Sequence, residues 1–282
     1  PLGPLHMPAN IAGIKSCMAL CKGKPNIAVF DTAFHQTMPD YAYMYGLPYR
    51  DYEEFKIRKY GFHGTSHKYV SGELAKLTNK PIEQTRFITV HLGNGSSLWA
   101  EKGGKSIDTS MGFTPLEGLV MGTRCGDIDA SVLEYLSEKT GMTLKELTTY
   151  MNKKSGVLGI NGVSGDMRDN DDLIKQGNKR AILAQNMICY RVKKYIGSYA
   201  AAMGGVDAIA FTGGVGENSK EIREECLQGL EFMGIKLDKN KNDNLARGVI
   251  GEISADDSKV KVYRIPTNEE LVIARDCVRL TK

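Results

Sequence analysis

The sequence predicts an α/β fold, and three observations carry that prediction. An apolar strand, 86–92, runs straight into the glycine-rich turn Gly93-Asn-Gly-Ser-Ser97. A second apolar strand, 207–212, runs far along the chain into Gly213-Gly-Val-Gly-Glu-Asn-Ser219. Segments of helical period, 130–140, 143–152 and 178–204, lie between them. Strands mixed with helices in this way build an α/β architecture. The turns also speak to function. Glycine lets a backbone approach an anion closely and adopt positive φ without steric penalty. Two such turns, each after a buried-type strand, predict two walls of one nucleotide cleft.

The elements follow in order. Residues 26–31 (Asn-Ile-Ala-Val-Phe-Asp) read as a short buried strand, and 32–39 as a loop ended by Pro39. Residues 41–60 are rich in tyrosine and charge and read as surface loop with short helix. The turn Gly61-Phe-His-Gly-Thr-Ser-His67 leads into a helix capped by Thr65 or Ser66, with Tyr69, Val70, Leu74 and Leu77 as its apolar stripe. His67 is expected on that helix's surface. After the first strand and turn, 97–100 pairs back as a hairpin partner and 102–104 turns again. Residues 106–129 form a long irregular segment dense in glycine and polar groups, a pattern typical of a functional loop. The loop 159–169 sets the basic Arg168 between Asp166 and Asp169. A helix is expected from about 219 to 233 and a strand over 259–265. The last helix opens after Pro266, with Thr267 as N-cap and Glu270 as its capping-box partner. No repeat or low-complexity stretch interrupts this order.

Composition bounds the class. The 282 residues are 41% hydrophobic and 25% charged, values of a soluble globular protein. A net charge of +4 with no long basic run predicts neither a nucleic-acid nor a membrane role. No apolar stretch nears the roughly 20 residues that a transmembrane helix needs. The opening residues 1–7 lack the charged and apolar regions of a secretory leader. Cys17, Cys21, Cys125, Cys189, Cys226 and Cys277 follow no disulfide or zinc spacing and read as structural thiols in a reducing cytoplasm.

Three residues stand out as candidates for chemistry. Asp31 ends a predicted strand, where a carboxylate faces whatever sits at the strand's carboxyl edge. It could instead cap the amides of Ala33 and Phe34. His63, between Phe62 and Gly64, is badly placed for a core histidine and could donate to a phosphoryl oxygen, or could simply mark the helix entry. Arg124 sits between glycines in a polar loop, and its planar fork suits a phosphoryl or carboxylate group. The alternative is a salt bridge to Asp127 or Asp129. Glu217 and Asn218 could be turn formers alone. Phosphoryl transfer requires cationic donors on the equatorial oxygens and a carboxylate that serves a metal.

Five segments decide between these readings. Val29-Phe-Asp-Thr-Ala-Phe-His-Gln-Thr-Met-Pro39, Tyr60-Gly-Phe-His-Gly-Thr-Ser-His67, His91-Leu-Gly-Asn-Gly-Ser-Ser97, Met121-Gly-Thr-Arg-Cys-Gly-Asp-Ile-Asp129 and Phe211-Thr-Gly-Gly-Val-Gly-Glu-Asn218 resemble the acetate kinases, in that family's order and spacing. The resemblance runs from about Leu5 to the C-terminus. It implies reversible phosphoryl transfer between ATP and a short-chain carboxylate, with Mg2+ accompanying ATP. It implies a homodimer and the fold of the actin, sugar-kinase and heat-shock-ATPase superfamily, two ribonuclease-H-like domains around a cleft. Asp31 then corresponds to the active-site aspartate, and His63 and Arg124 to two transition-state stabilisers. Leu5, Phe62 and Pro115 match walls of the pocket for the acyl methyl group. His91, Leu92, Gly93, Asn94 and Gly95 match the phosphate turn. Asp166, Met167 and Arg168 match the adenosine loop, and Gly214, Val215, Gly216, Glu217 and Asn218 the second nucleotide turn. Glu269 matches a magnesium-linked carboxylate.

The sequence departs from the family's pattern at its start. The family opens with a strand ending in an Asn/Ser/Ser/Lys turn and carries a further substrate arginine, and this sequence shows neither. The expected organisation is a first-domain remnant and connector over 1–33, a nucleotide-binding and dimerisation domain over 34–266, and a helix returning to the first domain over 267–282. Acetate is the expected acceptor. A propionate or butyrate kinase is the alternative, as is a non-catalytic nucleotide-binding and dimerisation module.

Overall fold

The structure, a computed structural model, describes residues 7–282. Six strands pair into a single sheet: β1 (Arg86–Leu92), β2 (Ser96–Lys102), β3 (Lys105–Thr109), β4 (Ala208–Thr212), β5 (Gly251–Glu252) and β6 (Lys261–Arg264). Their order is β3-β2-β1-β4-β6-β5. The mixed α/β class read from the sequence is the class observed. The first three strands form an antiparallel meander, because the turn after Leu92 is short enough for a hairpin. β1 then pairs parallel with β4, and β4 parallel with β6. Parallel neighbours need a crossover, and the long helix Lys179–Met203 supplies the first one.

Alternation along β1 divides the interior into two layers. Ile88, Val90 and Leu92 point to one face, with Leu98 and Ala100 of β2 and Ile209 and Phe211 of β4. Ile188, Val192 and Ile196 of the helix Lys179–Met203 close that core, with Ile222 and Cys226 of the helix Lys220–Leu227. Phe87, Ala208 and Ala210 point the other way, against Val70 and Leu74 of the helix Gly64–Thr78. Thr89 and His91 lie on this second face, nearer the carboxyl ends of the strands. The C-terminal helix Glu269–Thr281 docks on the helix Gly64–Thr78, where Lys68 meets Asp276 at 2.7 Å. Among the described residues no helix is long and apolar enough to cross a membrane.

Several local expectations are corrected. Residues 26–31 join no sheet, and Phe30 is exposed. Residues 106–109 of the expected loop belong to β3, on the sheet edge. The expected helix from 219 to 233 stops at Leu227 and resumes only as the 3-10 turn Glu231–Met233. The loop 159–169 is largely helical, in Gly156–Asn161 and Met167–Lys175. Asn268, not Thr267, caps the last helix, its Oδ1 accepting from the Leu271 amide at 3.0 Å. Neither Thr65 nor Ser66 caps the helix Gly64–Thr78, whose N-cap is His63 in the left-handed region. His67 is fully buried rather than on the surface, because its helix presses this face onto β1 and β2.

Candidate active site

The site assembles where the sheet's carboxyl ends meet the start of the helix Gly64–Thr78. Asp31 is a cap, but of a helix distant in sequence. Its carboxylate accepts from the His63 amide at 2.6 Å and the Thr65 amide at 3.3 Å. Its carbonyl accepts from the Gly64 amide at 3.0 Å. A side chain at position 64 would begin 2.1 Å from that carbonyl oxygen, so glycine is required there. Three contacts thus fix the main chain at His63, which adopts φ 55°. The turn aims the imidazole back over β1 and β2. Its Nδ1 meets Ser97 Oγ at 2.8 Å, and its ring stacks on His91 at 4.2 Å between centroids.

The other edge of the His63 ring faces Gly95. A Cβ built on Gly95 would lie 3.4 Å from His63 Nε2 and 3.2 Å from Arg124 Nη1. Imidazole and guanidinium therefore converge on one bare stretch of backbone. The salt bridge to Asp127 or Asp129 left open by the sequence does not form. Asp127 is occupied by Arg191 at 2.9 Å and Tyr195 at 2.8 Å, and it accepts from the Gly118 amide at 2.8 Å. Asp129 accepts from the Ser131 amide. Arg124 instead donates to the Pro115 carbonyl at 3.2 Å and lies 3.7 Å from Met121 Sδ. Burial lowers its pKa from the ordinary arginine value. A partly buried cation with a carbonyl and a thioether for company is poised for an anion.

Both glycine turns open on one cleft of about 990 Å³. Gly93 and Asn94 line it from the first turn, and Gly214, Val215, Glu217 and Asn218 from the second. Asp166, Met167 and Arg168 supply a third wall, where Asp166 pairs with Arg168 at 2.6 Å and is pulled down to about 2 by it. Leu92 does not face the cleft: its side chain lies in the core. Gly216 is buried behind the second turn, packed toward Val90 and Leu92. Gly213, at φ +76°, has no room for a Cβ, which would fall 2.7 Å from the Leu92 carbonyl oxygen. Phe62 lends its carbonyl to His35 Nε2 at 3.0 Å, and Pro115 stands beside Arg124. Leu5 lies outside the described residues.

Glu269, at the start of the last helix, is drawn to this site. Burial raises its pKa, and the charge of Asp31 raises it further. Two carboxylates that repel one another are a fit place for a cation. Among the described residues no group of three or more His, Cys, Asp or Glu side chains gathers as a metal site. A metal held here would need other oxygen ligands, which fits an ion that arrives with phosphates and water. Thr267, just before this helix, has two anchors. Its amide donates to Glu217 Oε1 at 3.2 Å, an oxygen that also accepts from the Gly213 amide at 3.0 Å. Its hydroxyl meets Ser66 Oγ at 2.8 Å, and Ser66 in turn meets His91 Nδ1 at 2.9 Å.

Some residues that line the cleft carry no such mark in the sequence. Arg223 is buried under the second turn, donating to the Gly216 and Glu217 carbonyls at 2.9 and 3.0 Å. Arg264 and Arg247 also line the cleft. Arginine beside a glycine turn was the one available signal for Arg223. Nothing local marks Arg264, which reaches the site from the far strand β6.

Comparison with known proteins gives the family. A profile of the Acetokinase family matches residues 1–275. The acetate kinase of Thermoanaerobacterium thermosaccharolyticum is 62% identical over 282 residues, covering 100% of this chain and 70% of that protein. That of Caldicellulosiruptor bescii is 60% identical over 279 residues, covering 99% and 70%. The crystal structure of Porphyromonas gingivalis acetate kinase superposes with a TM-score of 0.96 at 50% identity, covering 100% of this chain and 70% of that one. A propionate kinase structure from Francisella tularensis gives 0.90 at 46% identity, covering 97% and 69%. The family match, the high identity to acetate kinases and the overall superposition point the same way: this chain belongs to the acetate kinase family.

Proposed function

We propose that this chain transfers a phosphoryl group reversibly between ATP and acetate, giving acetyl phosphate and ADP. The observation that carries the reading is the approach of His63 Nε2 and Arg124 Nη1 to the same glycine, Gly95, beside the nucleotide cleft. In this reading the cleft walls at Gly93 and Asn94 and at Gly214 to Asn218 hold the nucleotide phosphates through backbone amides. His63 and Arg124 donate to the equatorial oxygens of the phosphoryl group in transit, where charge is shared most widely. Phe62 and Pro115 shield the acyl methyl group. Asp31 acts first on the protein, fixing the turn that aims His63. Asp31 and Glu269 are the residues that would serve Mg2+, which when bound with ATP neutralises phosphate charge.

In the same reading, 34–266 is the nucleotide-binding and dimerisation unit, and 1–33 and 267–282 belong to a first domain. Leu183, Met187 and Tyr190 are exposed at helical spacing on the helix Lys179–Met203, a stripe that suits a homodimer in the cytoplasm. A dimeric mass in light scattering is the expected result; a monomer at micromolar concentration contradicts it.

The test is a hydroxylamine trap for acyl phosphate with ATP, magnesium and either acetate or propionate, run beside a full-length acetate kinase relative. Acetyl hydroxamate from this chain is the expected result. Hydroxamate from propionate alone moves the acceptor by one methylene, a difference worth about 1–3 kcal/mol in such pockets. ATP binding without hydroxamate leaves the nucleotide-binding module as the better reading.

A further inference from the structure

Behind His63 lies a chain of buried polar groups that phosphoryl transfer does not call for. Ser97 Oγ sits between two imidazoles, 2.8 Å from His63 Nδ1 and 2.9 Å from His67 Nε2. The far nitrogen of His67, Nδ1, meets Thr89 Oγ1 at 2.5 Å. Ser97, His67 and Thr89 are all buried. The line Thr89–His67–Ser97–His63 therefore runs from the sheet interior to the site with one hydrogen bond at each step.

Such a line has a direction. Ser97 has one hydroxyl hydrogen and cannot donate to both imidazoles. His67 is wholly enclosed beside three other histidines. Burial and those neighbours hold its pKa well below the ordinary value, so it is neutral and carries a single N–H. Only two arrangements give every step one hydrogen. In the first, Thr89 donates to His67 Nδ1, His67 Nε2–H donates to Ser97, and Ser97 donates to His63 Nδ1. In the second, each bond is reversed. Thr89 decides between them. Its hydroxyl is buried, and among the described residues it has no other hydrogen-bond partner than His67. Reversal would leave its hydrogen without an acceptor, a cost of about 1–3 kcal/mol for a buried group.

We propose that Thr89, His67 and Ser97 are positioning residues that fix the tautomer of His63, placing its proton on Nε2, the nitrogen that faces Gly95 and Arg124. The consequence is chemical. A neutral imidazole with its proton on Nδ1 would present a lone pair to the transferring phosphoryl oxygens and repel them. The line ensures that His63 presents N–H without having to become an imidazolium. No atom is transferred along it; it only holds a proton in place. The inference rests on the reading that His63 donates to the phosphoryl group, but its direct readout does not need turnover.

The experiment is nitrogen-15 NMR of the histidine side chains in the whole chain, at a pH where His63 is neutral, with hydroxamate turnover measured in parallel. In the wild type, His63 is expected with a protonated Nε2 and a bare Nδ1; a proton on Nδ1 overturns the proposal. Thr89→Val keeps the shape and removes the source hydrogen. It is expected to give His63 a mixture of both tautomers, while ATP affinity stays within twofold. Ser97→Ala is expected to do the same and to lower kcat roughly tenfold, the effect of one hydrogen bond, with KM for ATP unchanged. Ser97→Thr, which keeps the hydroxyl, is expected to restore both. If Ser97→Ala fails to fold, Thr89→Val still reports. A single Nε2 tautomer in both variants would show that the line sets nothing. A correct tautomer in a chain without turnover would refute the kinase reading and leave this one standing.

Discussion

The two faces of the central sheet are made by the same strands and filled in opposite ways. On one, Ile88, Val90, Leu92, Ile209 and Phe211 meet an apolar helix, and the layer has no chemistry in it. On the other, a smaller apolar layer sets Phe87, Ala208, Ala210, Tyr263 and Ile265 against Val70 and Leu74. Beyond it lie buried His67, Thr89 and Ser97, joined by hydrogen bonds, and buried His35, bonded to Ser106. Buried polar groups cost free energy unless each finds a partner. A fold that lines this face with them, next to converging cationic donors, is keeping an orientation there that oil-like packing would not keep. The first face holds the sheet together; the second holds the site still.

Substitutions can separate these duties. The largest effect is expected on the apolar face: Phe211→Ala should cost about 3–5 kcal/mol of stability, read by denaturant unfolding, with kcat per folded molecule preserved. A similar fall in kcat per folded molecule would show that the two faces are not separable. On the polar face, Arg124→Ala should leave stability nearly unchanged and lower kcat by about 10²–10³-fold, the scale for loss of one preorganised donor. ATP affinity should change far less, and an equal loss in both would make Arg124 a ground-state ligand. Gly214→Val should be milder. No atom lies within 4 Å of a Cβ there, so the side chain would intrude on the cleft rather than on the protein. Weaker ATP binding, by roughly tenfold or about 1.4 kcal/mol, with an unchanged melting point, is the expected outcome; unaltered ATP affinity would take that turn out of the site.

The polar face also predicts a dependence on pH. Burial pushes His35 down to about 4 and His91 down to about 3, from an ordinary 6.5. The unfolded chain takes up these protons below 6.5 and the folded chain does not. Stability should thus fall as pH drops from about 6.5 toward 4, by at most about 1.4 kcal/mol per unit for each histidine. His35→Gln or His91→Gln should flatten that slope, whereas Phe211→Ala should lower stability without changing it.

Much of this was legible in the sequence. Both strand–glycine turns lie where their patterns put them, because apolar runs and glycine are local signals. His63 and Arg124, which the motifs single out, both approach Gly95. What could not be read locally is what depends on contact between distant segments. Asp31 caps a helix more than thirty positions away rather than its own loop. His67, polar and amid a mixed helical pattern, gives no sign that its face is the buried one. Residues 26–31 have a strand's composition, yet a strand exists only by pairing. Arg264 belongs to β6, and only the parallel register with β4 brings it beside the second turn.

Thr267 is a small residue in an unremarkable stretch, yet it keeps distances. Its amide shares an oxygen of Glu217 with the second glycine turn, and its hydroxyl reaches His91 through Ser66. Two turns that come from distant parts of the chain are thereby surveyed from one point. Any displacement of the C-terminal helix, and of Glu269 at its head, must be entered at both turns together or at neither. The spacing of the two glycine turns is set by this one benchmark rather than by two loops settling independently.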